Sequence, residues 1–154
     1  MHPICRRWTS RAGGPLISAA RAYAPGDATG AALVLSQALS FWGGIDVDTG
    51  NIIDRSHPEL GMNVTGRILV MPGGRGSSSA SAVLAETIRR GTGPSGIILA
   101  TPDPILTVGA IVARALYGLR CPIVVCPIDQ FVTGDELRIS AAEVVASVVH
   151  SPRG

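Results

Sequence analysis

Residues 67–91 have the sequence RILVMPGGRGSSSASAVLAETIRRG, and this stretch decides the fold. The apolar run 67–70 predicts a buried strand, because it is short, continuous and followed by proline and glycine. The run 81–90 predicts a helix that Gly91 ends. Between them lies a turn rich in glycine and serine. This order predicts an α/β domain with a small-anion site at the turn, since the first N–H groups of a helix lack partners within it.

The segments that follow repeat this order of elements. Residues 96–100 form a second apolar run, 105–117 have helical periodicity before Gly118, and 122–125 predict a third buried strand. Strands and helices of this length favour parallel crossovers. Ligand groups collect at the carboxyl ends of such strands. We therefore expect the glycine-rich turn and Asp103 to lie at one edge of the sheet.

The composition of the chain narrows the classes of function. Its 154 residues favour one domain, and the core must be aliphatic because only 4% of residues are aromatic. The net charge is +2 and no basic stripe is interleaved with aromatics, which argues against a nucleic-acid partner. No apolar run approaches the roughly 18 residues of a membrane span, so we expect no membrane association.

Residues 1–19 carry no periodic pattern and no acidic residue. Their composition is that of a disordered extension or of a transit peptide, and they lack the apolar region of a secretory signal. We therefore expect a disordered extension over 1–19, one domain over 20–150 and a cytoplasmic location. Cys121 and Cys126 flank a strand and, five residues apart, would face opposite sides of it. We expect no metal to be bound by this chain.

The turn after residue 70 fits none of the familiar glycine motifs. A P-loop requires a lysine, and the chain has none. A dinucleotide fingerprint would need a third glycine where Ser79 stands. A nucleophile elbow would centre on Ser78, but Ala80 replaces its last glycine. The turn alone therefore predicts an anion site, to which Arg75 adds a planar guanidinium suited to carboxylate or phosphate.

Several separate segments, all in the same order, resemble the small subunit of the aconitase X family. These segments are SFWGGID at 40–46, TG at 49–50, IID at 52–54, HP at 57–58, GRIL at 66–69, PGGRGSSS at 72–79, DPIL at 103–106 and GAIVA at 109–113. The resemblance extends from about Ala20 to at least Ile139. It implies an α/β fold, the swivelling β/β/α domain of the aconitase type, with a small mixed sheet or barrel and two main helices.

The resemblance also implies a function that two chains share. The family's enzymes are dehydratases, chiefly for cis-3-hydroxy-L-proline in bacteria and mevalonate 5-phosphate in archaea. The large subunit carries the iron or iron–sulfur centre and most substrate contacts. We therefore expect a lyase subunit that is active only in a heterodimer with the large subunit and acts on a small hydroxy acid. The lysine-free composition looks bacterial and favours cis-3-hydroxy-L-proline. The alternatives are mevalonate 5-phosphate and a non-catalytic module that binds a small anion.

Resemblance to the wider aconitase superfamily implies roles for the turn. The superfamily's Gly-Ser-Ser turn matches Gly76, Ser77 and Ser78, so Ser77 inherits the role of the base that removes the proton alpha to a carboxylate. Ser79 stands where the superfamily has an arginine that binds the substrate carboxylate. Arg75, on the other side of the turn, could substitute for that arginine.

The neighbours of Ser77 complete the predicted site. We expect Ser78 and Ser79 to cap the helix and bind the substrate carboxylate, the alternative being capping alone. Gly74, Trp42 and Asp103 are expected to line the same pocket.

Serine is a weak base at neutral pH without further help. Its hydroxyl is about as weak an acid as water, so lowering its pKa from about 15.7 to neutrality requires roughly 12 kcal/mol. A helix N-terminus supplies at most about 2 kcal/mol. We therefore expect the site to be complete only when a second chain closes over it.

Overall fold

The structure, a computed structural model, describes residues 7–8 and 14–153. Within these residues the chain forms eight strands and three helices. The strands are β1 (Arg7–Trp8), β2 (Leu16–Ala24), β3 (Gly26–Val34), β4 (Ile68–Met71), β5 (Gly96–Leu99), β6 (Ile123–Val125), β7 (Glu136–Ala141) and β8 (Val145–Ser151). The helices are α1 (Phe41–Gly44), α2 (Ala80–Arg90) and α3 (Pro104–Tyr117).

The strands form a mixed sheet that closes into a barrel. Their order is β2-β6-β5-β4-β3-β7-β8, and β8 pairs again with β2, while β1 adds to β2 beside the ring. The three pairings within β3-β4-β5-β6 are parallel. The other pairings are antiparallel. The predicted α/β fold with a mixed sheet or barrel and two main helices is confirmed.

Helices α2 and α3 are the crossovers between the parallel strands β4, β5 and β6, as the sequence predicts. Helix α2 begins at Ala80, one residue before the predicted start, and ends at Gly91 in the left-handed conformation. Helix α3 likewise ends at Gly118, whose φ is 66°. In the described part of the chain, no helix has the length and apolar character that crossing a membrane requires.

The core has two layers because successive strand residues point to opposite faces of the sheet. In β4, Ile68 and Val70 face the barrel interior, while Leu69 and Met71 pack toward the helices. All four side chains are fully buried. This explains the continuous apolar run in the sequence, since a strand covered on both faces has no solvent side.

The two cysteines near β6 follow the same alternation. Cys121 belongs to the helix-facing layer and Cys126 to the barrel interior, which confirms that they face opposite sides. Burial raises the pKa of the Cys121 thiol to about 12. This cysteine is therefore a protonated core residue, as burial in apolar surroundings dictates.

The folded domain begins before residue 20. The predicted disordered extension over 1–19 lies partly outside the described residues, but Arg7–Trp8 and residues 16–19 belong to β1 and β2. Leu16 pairs with His150 of β8, and Arg21 pairs with Val145. The sequence conceals this strand because its inward positions are small residues such as Ser18 and Ala20, which give no clear hydrophobic alternation.

A buried hydrogen bond joins Asp135, the residue before β7, to His150 near the end of β8. His150 Nε2 lies 2.6 Å from Asp135 Oδ2, and both side chains are almost fully buried. The backbone N–H groups of Val132 and Arg153 also donate to the Asp135 carboxylate. Burial raises the pKa of Asp135, but these hydrogen bonds together lower it below its ordinary value.

Candidate functional site

The candidate site lies at the carboxyl ends of β4 and β5. The turn 72–79 follows β4, and the segment 100–103 follows β5 before α3 begins. Because these strands are parallel, both connections leave the barrel at the same end. The segment that leads into α1 completes the site, since Leu39 pairs with Gly74. Together they enclose a cavity of about 230 Å³.

The cavity brings together most of the residues predicted for the site. Its polar lining consists of Gly74, Arg75, Gly76, Ser77 and Asp103. Its apolar lining consists of Leu39, Phe41, Ala80, Pro102, Pro104, Ile105 and Leu106. Several apolar walls with a few convergent polar groups are typical of small-molecule sites.

Three predicted residues are not among those that line the cavity. Ser78 and Ser79 are exposed at the outer side of the turn, and the side chain of Trp42 is 60% exposed. Its neighbour Phe41 is fully buried and lines the cavity instead. The two aromatic residues diverge because Trp42 and Gly43 have non-helical backbone angles within α1.

Ser77 is exposed, and its hydroxyl oxygen accepts a hydrogen bond from the Ser79 N–H at 3.1 Å. The Ser77 carbonyl oxygen accepts from the Ala80 N–H at 3.0 Å, so the residue is fixed in a tight turn before α2. A donor aimed at an oxygen favours its negatively charged form. The backbone thus holds the Ser77 oxygen in place and favours negative charge on it.

The prediction that Ser78 and Ser79 cap α2 is wrong. Ser79 is the residue at the N-cap, but its side chain makes no capping hydrogen bond. Its φ and ψ are −66° and −16°, which is helical, whereas a capping side chain requires an extended residue at this position. The hydroxyl oxygen of Ser77 accepts the hydrogen bond from the Ser79 N–H instead. The hydroxyls of Ser78 and Ser79 are therefore not engaged in holding the helix.

The turn has free backbone N–H groups before the start of α2. The N–H groups of Gly76, Ser77 and Ser78 donate no hydrogen bond to any residue that the structure describes. Successive free N–H groups in a turn form a concave site for anions. Gly76 has a φ of 106°, and a Cβ at this position would lie 2.6 Å from Ser40 Oγ. Only glycine fits this part of the turn.

Arg75 supplies the positive charge of the cavity. Its side chain is exposed and makes no hydrogen bond or ion pair with the described residues. Its charge does reach Asp54. Hydrogen bonds from the Ser56 hydroxyl and N–H lower the pKa of the Asp54 carboxyl, and the charges of His57 and Arg75 add to this effect. The guanidinium is therefore available for an external carboxylate or phosphate.

Asp103 supplies the negative charge. Its Oδ1 atom accepts hydrogen bonds from the N–H groups of Ile105 at 2.9 Å and Leu106 at 3.1 Å, so it caps α3. Its Oδ2 atom lies against Gly74, where an added Cβ would be 1.4 Å from it. Gly74 thus leaves the space that the carboxylate occupies.

The segment that leads into α1 forms a second wall of the cavity, where the sequence predicted Trp42 but not Leu39 or Phe41. Leu39 and Phe41 line the cavity, and Ser40 lies against Gly76 while its hydroxyl donates to the Trp42 carbonyl at 3.1 Å. Buried His57 supports this segment, since its Nε2 lies 3.2 Å from the Gln37 carbonyl. The pair of adjacent aromatics before two glycines was the available signal, but it did not indicate which ring faces the cavity.

Among the residues that the structure describes, no donor set fits a metal centre. Across residues 7–8 and 14–153, no three His, Cys, Asp or Glu residues are grouped so that they could hold an ion. At the cavity itself Asp103 is the one such side chain among the lining residues.

Residues 17–148 match the family model described as the aconitase X swivel domain. The chain belongs to this family. The swivel domain is 48% identical over 103 residues to the cis-3-hydroxy-L-proline dehydratase of Pseudomonas aeruginosa, a match that covers 67% of this chain and 18% of that protein. It is 53% identical over 79 residues to the phosphomevalonate dehydratase small subunit of Methanopyrus kandleri, covering 51% of this chain and 58% of that protein.

A solved structure supports the same assignment. The swivel domain superimposes on the crystal structure of Thermococcus kodakaraensis aconitase X in its holo-form with a TM-score of 0.75 and 28% identity. The superposition covers 84% of this chain and 97% of that chain. The match spans less than a fifth of the length of the Pseudomonas protein and somewhat more than half of the length of the Methanopyrus protein.

Proposed function

We propose that this swivel domain is the small subunit of a two-chain hydro-lyase that dehydrates a small hydroxy acid. The proposed substrate is cis-3-hydroxy-L-proline. The observation that carries the proposal is the cavity, which brings Ser77, Arg75 and Asp103 together at the end of the barrel. The relatives named as dehydratases support the reaction type. The word "small subunit" in the names of several relatives supports a large partner.

The proposed reaction is an elimination in which the Cα–H bond and the C–O bond of the neighbouring carbon break and a double bond forms between the two carbons. The Cα proton passes to Ser77, and the hydroxide would leave to a Lewis acid held by the large subunit. The substrate carboxylate is held by Arg75 and by the free N–H groups of Gly76, Ser77 and Ser78. We keep Ser78, Ser79 and Trp42 as proposed substrate contacts outside the cavity, since all three side chains are exposed. This places Cα beside Ser77 Oγ, which accepts the proton.

The basicity of Ser77 explains why a second chain is required. The hydrogen bond from the Ser79 N–H stabilises a charged oxygen by about 1.5–3 kcal/mol, and the nearby helix adds at most about 2 kcal/mol. The total is far below the roughly 12 kcal/mol that a persistent alkoxide requires. Since Ser77 and Arg75 are exposed in this chain, a partner that covers them would exclude water and strengthen every charge interaction in the site.

We propose that the large subunit also carries the iron or iron–sulfur centre, because the described residues of this chain do not supply a ligand set. We further propose a heterodimer in the cytoplasm, where thiols such as that of Cys121 stay reduced.

The charges of the cavity favour the hydroxyproline substrate. Arg75 and Asp103 are the charged residues that line it. Hydroxyproline carries one carboxylate and one ammonium group, so it matches this pair. Mevalonate 5-phosphate carries a carboxylate and a phosphate, and Asp103 would repel either anion. The second substrate nevertheless stays as the alternative, because relatives are named for both activities.

The proposal is tested by co-expressing the chain with the large-subunit gene of the same genome and assaying both substrates. We expect a stable complex that dehydrates cis-3-hydroxy-L-proline, and no turnover by the isolated chain. Preferential dehydration of mevalonate 5-phosphate would instead support the alternative substrate. Anion binding by the isolated chain without any stable large partner would support a non-catalytic binding module and contradict the proposal.

A further inference from the structure

We propose that Asp103 binds the ring ammonium group of the substrate through its Oδ2 atom and thereby selects amino acids over other hydroxy acids. The inference rests on the proposed function and names the residue that determines its specificity.

The two oxygens of the Asp103 carboxylate have different surroundings. Oδ1 accepts both hydrogen bonds of the α3 cap, from Ile105 and Leu106. Oδ2 accepts no hydrogen bond from the residues that the structure describes, and it is not shielded completely from solvent. One oxygen therefore holds the helix, while the other is available to a ligand in the cavity that Asp103 lines.

Capping accounts for Oδ1 but gives Oδ2 no hydrogen-bond partner in the helix. Serine and asparagine cap helices about as well as aspartate, whose charge adds only its attraction to the helix dipole. Gly74 also has to leave room for Oδ2, since any side chain there would collide with this oxygen. The fold thus accommodates a negatively charged oxygen at the cavity wall, where a neutral capping residue would be sufficient for the helix.

The charges lie on two different walls of the cavity. Arg75 belongs to the turn after β4, and Asp103 belongs to the turn after β5. In an α-amino acid, carboxylate and ammonium are both bonded to Cα. Binding one group on each wall therefore fixes Cα between them, in the cavity that Ser77 also lines. Asp103 also favours the protonated form of the ring nitrogen, whose positive charge stabilises the carbanion that forms at Cα.

The test compares two competitive inhibitors of the assembled enzyme, L-proline and tetrahydrofuran-2-carboxylate, which differ in having a ring nitrogen or a ring oxygen. In Asp103→Asn the amide oxygen still caps α3, but the charge is lost. We expect the inhibition constant of L-proline to rise about 10- to 100-fold, as for a lost charged hydrogen bond, while that of the oxygen analogue stays equal or falls. Asp27→Asn, on the exposed surface of β3, is the matched control.

Equal changes for both inhibitors in Asp103→Asn would overturn the inference and leave a purely structural cap. A loss of kcat on cis-3-hydroxy-L-proline with unchanged inhibitor preference would also overturn it and assign Asp103 to proton transfer. Gly74→Ala provides a second variant, since its methyl group must displace Oδ2, and it should reduce the preference for L-proline in the same direction. Failure of the wild-type complex to dehydrate hydroxyproline would contradict the proposed function instead.

Discussion

Arg75 and Ser77 are neighbours in a turn, yet different parts of the backbone hold them. Gly76 separates the two residues with a φ of 106°, a conformation that other residues rarely adopt. Ser77 is fixed by the N–H groups of Ser79 and Ala80, whereas the Arg75 guanidinium makes no hydrogen bond or ion pair with the described residues and interacts with Asp54 only through its charge. The turn thus places one fixed oxygen beside one unpaired cation.

Replacing Arg75 by glutamine should weaken substrate binding more than it slows the reaction. A guanidinium that binds a carboxylate contributes about 1.5–3 kcal/mol, so we expect KM to rise about 10- to 100-fold in the assembled enzyme. Arg75→Lys should recover part of the affinity, because an ammonium keeps the charge but lacks the planar pair of donors. An unchanged KM in Arg75→Gln would show that the substrate carboxylate binds elsewhere.

For single residues, the sequence predicts which of them lie together at the site but not which hydrogen bonds they make. The order of strand, turn and helix is sufficient to bring Ser77, Arg75 and Asp103 to one edge, because parallel strands fix that edge. Whether Ser79 caps the helix depends on its backbone angles, which neighbours in the fold determine. Capping was therefore assigned to the wrong serines.

The sequence predicted the bounds of helices α2 and α3 to within one residue. It did not predict the side-chain contact that joins the start of β7 to the end of β8. The helices have clear periodicity and glycine ends, and both signals are local. The pairing of Asp135 with His150 joins residues 15 positions apart, and it depends on the register of two strands. No local pattern reveals such a pair.

Asp135→Asn should make the domain less stable and less sensitive to acid. Because hydrogen bonds lower the pKa of Asp135 in the folded state, its ionised form stabilises the fold above the ordinary value of 3.8. That stabilisation is lost as the pH falls through the lowered pKa. We expect the variant to be about 1–3 kcal/mol less stable than the wild type at pH 7. As the pH falls below the ordinary carboxyl pKa of 3.8, the unfolding free energy of the variant should decrease less than that of the wild type.

Urea unfolding at several pH values measures both effects. Asp129→Asn is the control, since Asp129 is exposed. Glu86, whose pKa Arg89 and Arg90 lower to about 2, contributes equally to wild type and variant. Parallel pH profiles for wild type and Asp135→Asn would contradict the assigned role of this carboxylate.

The described part of the molecule is a closed barrel with the two main helices on one side and the candidate site at one end. Closure depends on the pairing of β2 with β8, which are separated by more than 100 residues and consist largely of small side chains. The sequence therefore left open whether the sheet is open or closed. The site, by contrast, depends on the local order of β4, α2, β5 and α3, and this order could be predicted.

The central claim is that Ser77 removes the proton once a large subunit has closed the site. The most direct measurement is kcat on cis-3-hydroxy-L-proline for the assembled complex carrying Ser77→Ala, with Ser95→Ala at the opposite end of β5 as the matched control. We expect the Ser77 variant to assemble normally and to lose at least about 100-fold in kcat, with the control unchanged. A Ser77→Ala complex that turns over near the wild-type rate would contradict the claim.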